Sequence, residues 1–92
     1  MQKIELAAAE FATEFSAVTE IIVFGSLVRP GYFTELSDVD IAVRDLPNAQ
    51  YWKAILWWEK HLEFEDIDLV RIEDASARIR KYITKGKTVH EE

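Results

Sequence analysis

Cysteine is absent from this 92-residue chain, and glycine and proline are scarce, at three and two residues. The lack of cysteine excludes disulfides and thiolate metal sites. With so few breakers, Gly25, Pro30, Gly31, Pro47 and Gly86 become informative punctuation. No apolar run approaches the roughly 20 residues that a transmembrane helix needs, so no membrane association is expected. No basic-then-apolar start marks a secretion signal, and the expected location is the cytoplasm. Basic charge is also short, with 11 Lys and Arg against 17 Asp and Glu and a net charge of −6. Phosphate backbones are held by surplus cations, so direct nucleic-acid binding is not expected.

Apolar residues are plentiful. They make up 49% of the chain and include five Phe and three Trp. That suffices for one packed domain over residues 1–92, while the small size makes a homo- or hetero-oligomer a natural source of extra stability. The basic residues gather late, at Arg71, Arg78, Arg80, Lys81, Lys85 and Lys87, leaving the first two-thirds strongly acidic.

Hydrophobic spacing divides the chain into alternating elements. Ile4, Ala7, Ala8, Phe11 and Phe15 recur at helical intervals over 2–16. Ile21–Phe24 and Ser37–Arg44 are short, β-branched runs bounded by turn residues, and read as buried strands. Between them, Gly25-Ser26 ends the first strand, Ser26 caps a short turn over 27–29, and Pro30-Gly31 breaks it. Asn48 is the expected cap of a helix over 49–62, whose aromatic residues spread beyond a narrow stripe, as on a surface that meets a partner. Phe64–Ile72 is a third strand. Asp74 is the expected cap of a third helix over 75–85, with Ala75, Ile79, Tyr82 and Ile83 on one face and Gly86 closing it. Residues 88–92 form a tail or an edge strand. The pattern predicts a two-layer α+β fold: a small mixed sheet with helices mainly on one face, its pairing of second and third strands left open.

The acidic positions carry the chemistry. Asp38 and Asp40 share one strand face about 7 Å apart, with Val39, Ile41 and Val43 on the other. Asp is a poor strand former, so two on one face need a reason beyond solubility. A hard divalent cation such as Mg²⁺, which takes oxygen ligands, supplies one. Asp68 repeats the alternation in the third strand, outward of Ile67 and Leu69. If that strand neighbours the second, three carboxylates converge and can hold two metal ions. Gly25 lets a backbone approach a phosphate closely, and the amides after it can form an anion nest beside the Ser26 hydroxyl.

The stretch Phe24-Gly25-Ser26-Leu27-Val28-Arg29, followed by Leu36-Ser37-Asp38-Val39-Asp40-Ile41-Ala42-Val43, resembles the signature of the minimal nucleotidyltransferases. These are small members of the DNA polymerase β-like superfamily. Glu65-Asp66-Ile67-Asp68-Leu69-Val70 is similar to the family's later acidic strand, and Ile79 to Gly86 to its last helix and turn. The resemblance covers nearly the whole chain. It implies a nucleotidyltransferase fold and transfer of a nucleoside monophosphate, AMP from ATP or the equivalent from another NTP, onto a hydroxyl. By the same resemblance Asp38, Asp40 and Asp68 hold two Mg²⁺ ions and carry catalysis, while Gly25 and Ser26, with Arg29 as a further phosphate contact, hold the triphosphate. The sequence departs from the family pattern at Pro30, inserted between Arg29 and Gly31, and in a gap from Ser26 to Asp38 longer by one residue. Family members of this size pair with helical HEPN toxins, and some act as antitoxins by AMP transfer to a toxin tyrosine. The implied alternative is a nucleotide-binding or partner-binding module that neutralises a helical partner by complex formation alone.

Overall fold

The computed structural model describes residues 2–24, 39–62 and 67–91. Helix α1 spans Gln2–Glu14, strand β1 Glu20–Phe24, β2 Val39–Arg44, helix α2 Tyr51–Leu62, β3 Ile67–Arg71, α3 Ala77–Thr84 and β4 Lys87–Glu91. The four strands form one mixed sheet in the order β3-β2-β1-β4. β1 runs antiparallel to both β2 and β4, and β2 runs parallel to β3. The tail is therefore an edge strand, and the pairing that the sequence leaves open is parallel. A parallel neighbour needs a crossover, and α2 supplies it.

Strand alternation sorts the core onto two faces. Ile21, Val23, Ile41, Val43, Ile67 and Leu69 pack against α1 and α2. Ile22, Phe24 and Ala42 turn to the other side and meet Ile72 and Ile83, so α3 covers part of that face. Two helices thus occupy one face and the third lies across the other. Phe11 is the hinge of the larger layer, its ring stacked on Phe15 at 4.5 Å and against Trp58 at 5.1 Å. Both Phe11 and Trp58 are fully buried, and each contributes about 1.5–3 kcal/mol by leaving water.

Two helix starts differ from the sequence expectation. Asn48 opens a 3₁₀ turn over Asn48–Gln50, with Pro47 before it and no side-chain cap. Ser76, not Asp74, caps α3: its hydroxyl accepts from the Ile79 amide at 3.2 Å. Asp74 is diverted because Arg71 donates to its carboxylate at 2.6 Å, within a 3₁₀ turn over Ile72–Asp74. On the face that carries Ile83, Tyr82 is 43% exposed. β2 ends at Asp45, whose φ of 66° lies in the left-handed region that Asp tolerates better than most residues. Its side chain accepts from the Thr19 hydroxyl at 2.6 Å, and its amide donates to Glu73 at 2.6 Å.

Candidate active site

The parallel register of β2 and β3 sets Asp40 directly opposite Asp68. Adjacent strands lie about 4.8 Å apart, so the two carboxylates project side by side. On the other flank of β2, Phe24 is the partner of Asp40. One row across the sheet therefore reads Asp68, Asp40, Phe24, on the side that α3 only partly covers. Asp68 is exposed and Asp40 half-buried.

The neighbours explain how the row is held. Ile41 and Val43 alternate into the helical layer with no exposure, and Ile67 and Leu69 do the same from β3. A slip of one residue in either strand would turn these chains to solvent and the carboxylates into the core. The register is pinned at the far end as well. Arg44 donates to Glu20 at 2.9 Å, which raises the affinity of the guanidinium for its proton. Tyr51 donates from its hydroxyl to the Leu69 carbonyl at 2.5 Å, fastening α2 to β3. Arg71 donates to the Leu46 carbonyl at 2.9 Å, tying β3 to the segment after β2.

Two carboxylates abreast repel each other and favour a cation between them. Among the described residues Asp68 has no ion-pair partner. All the donor atoms are carboxylate oxygens, the ligand type that Mg²⁺ takes, so the set fits such an ion. Gly25, Ser26, Arg29 and Asp38, together with the 27–29 turn and Asp66, lie outside the described residues. Among the described residues no group of three His, Cys, Asp or Glu gathers for a metal. The described part of the site is the Asp40–Asp68 pair.

One residue expected only to close the third helix has a further role. Gly86 follows α3, its amide donating to the Ile83 carbonyl at 2.9 Å. Its backbone is not left-handed, so a positive φ is not why glycine stands there. A Cβ would lie 2.6 Å from the Val23 carbonyl oxygen and 2.9 Å from Phe24 Cβ. Gly86 lets the chain press against the end of β1 beside the carboxylate row. No sequence pattern signals such an approach, because it depends on tertiary placement.

The family model for the polymerase β nucleotidyltransferase domain matches residues 7–92. The chain belongs to this nucleotidyltransferase family. A crystal structure of a toxin–antitoxin with AMP-PNP is 25% identical with TM-score 0.79, matched over 96% of this chain and 73% of that one. A second, of tri-AMPylated Shewanella oneidensis HEPN toxin in complex with MNT antitoxin, is 26% identical with TM-score 0.74, over 100% and 74%. A structure of the toxin–antitoxin MntA–HepT, 24% identical with TM-score 0.74 over 100% and 74%, shares the fold. Among curated proteins no sequence matches. No helix of the described residues is long and apolar enough to cross a membrane.

Proposed function

We propose that this protein transfers a nucleoside monophosphate, AMP from ATP, to a hydroxyl, and that the acceptor is a tyrosine of a HEPN-type toxin that it neutralises. The observation that carries the reading is Asp40 set opposite Asp68 in a chain of this family. The relatives bound to AMP-PNP and in complex with a tri-AMPylated HEPN toxin support donor and acceptor alike. Asp38, Asp40 and Asp68 hold Mg²⁺, two ions in full, and Asp68 also orients the acceptor hydroxyl. Such ions, when bound, offset charge on the triphosphate and acidify the acceptor. Gly25 and Ser26 hold the phosphates from the end of β1, with Arg29 as a further contact. The carboxylate row is open to solvent on the β3 side, so a protein side chain has access to Asp68. ATP as donor accords with action in the cytoplasm.

The test is incubation with labelled ATP, Mg²⁺ and the product of the gene adjacent to that of this chain. Label is expected on the partner, with much less when Asp40→Asn replaces the wild type. Absence of label from any NTP contradicts the enzymatic reading. A second reading, a clamp that neutralises its partner without turnover, is favoured by one observation: Trp52 and Leu56 stand exposed on α2. It predicts neutralisation by Asp40→Asn equal to that of the wild type.

A further inference from the structure

α2 has two opposed faces. Ala54, Trp58 and Leu62 are buried, one turn apart. At 100° per residue, Trp52, Leu56 and Lys60 form the row about 160° round the helix. Trp52 is 75% exposed and Leu56 66%, the largest apolar exposures of the described residues along with Leu6 on α1. Lys53 and Lys60 line one side of Leu56, both exposed and neither ion-paired among the described residues. The only carboxylate of the helix, Glu59, is half-buried on the Trp52 side. In a chain of net charge −6 this is a local patch of apolar area with a positive edge on the side away from Glu59.

The helix that carries the patch is fastened to the sheet at its start. Tyr51 is fixed by its bond to the Leu69 carbonyl, and the Trp52 ring stands edge-on to it at 5.8 Å. A Trp ring has only two side-chain torsions to lose on binding, and Trp is enriched where binding energy concentrates. We propose that this outer face of α2 is the docking surface for the HEPN-type partner, which it meets through an amphipathic helix with an apolar stripe bordered by carboxylates. The inference rests on the partner named in the preceding reading and adds where it binds. α2 lies on the sheet face opposite the carboxylate row, because Ile41 and Leu69 point to it and Asp40 and Asp68 do not. Docking and transfer therefore use different faces, and the segment that docks is not the one that carries the modified hydroxyl.

The experiment measures affinity for the product of the gene adjacent to that of this chain, using wild type, Leu56→Glu, Trp52→Ser and the double variant Lys53→Glu/Lys60→Glu. Both apolar sites are exposed, so the variants should fold, which a thermal melt verifies. Each apolar variant is expected to weaken the complex at least about tenfold. The charge reversal should weaken it most at low salt. Affinity for AMP-PNP should be unchanged in all three. Wild-type affinity in both apolar variants overturns the docking surface while leaving the partner reading intact. No complex with the wild type overturns both. A wild-type homodimer that Leu56→Glu dissociates also overturns the proposal, assigning the face to a second copy of the chain.

Discussion

Asp40 and Asp68 are Cα partners across the parallel junction of β2 and β3. Two acidic residues side by side on neighbouring strands cost stability unless something binds between them. That cost defines the first prediction. Asp68→Asn should leave the melting temperature unchanged or slightly raised, since it removes a like-charge contact. It should lower AMP transfer by roughly 10²–10³-fold, the scale for losing one preorganised electrostatic group. Thermal melts and initial rates on the same preparation check both halves.

Gly86→Ala probes the close approach at the end of β1. The added methyl group meets main chain at 2.6 Å, which cannot swing away as a side-chain tip could. Overpacking of this kind costs about 1–3 kcal/mol. For a domain of this size, each kcal/mol lowers the melting temperature by roughly 4–8 °C. Calorimetry should show that loss.

The start of α3 separates the sequence expectation from the structure. Ser76→Ala removes the acceptor of the Ile79 amide and should cost about 0.5–2 kcal/mol. Asp74→Ala breaks an ion pair whose carboxylate is largely exposed, and should cost less. Urea unfolding of the two variants gives the order directly.

Much of the fold was legible because periodicity reports burial. The stripe of Ile4, Ala8 and Phe11 marks α1, and the alternation around Ile41 and Leu69 marks β2 and β3. Even the spread of aromatics on α2 was readable as an unpartnered face. What the chain could not reveal locally were pairings between distant segments. The parallel register that joins Asp40 to Asp68 depends on which strands meet. Likewise Asp74 and Ser76 are both good caps, and the choice is made by Arg71, which occupies Asp74 first. The reason for Gly86 lies more than sixty residues away in sequence, at Val23 and Phe24. In the site itself Asp40 and Asp68 are placed, while Gly25, Ser26, Arg29 and Asp38 fall outside the described residues.

The Glu5–Lys87 bridge links α1 to β4, and the hydrogen bond and charge of Lys87 hold the Glu5 carboxyl below its ordinary value. A lowered carboxylate stabilises the fold above its unfolded-state value and loses that contribution as pH falls through the folded-state value. The stability difference between wild type and Lys87→Met should thus be present at neutral pH and vanish in acid. Both groups are exposed, so the difference should be small and shrink with salt. NMR titration of the Glu5 carboxyl should give a midpoint that rises toward the ordinary value in Lys87→Met.

In the proposed function Asp40 and Asp68 act together on one metal–nucleotide complex. Binding of Mn²⁺ in the presence of AMP-PNP, followed by electron paramagnetic resonance, tests it without relying on turnover. Bound Mn²⁺ is expected in the wild type, with a large loss of affinity in both Asp40→Asn and Asp68→Asn. Undiminished Mn²⁺ binding in Asp68→Asn would contradict it.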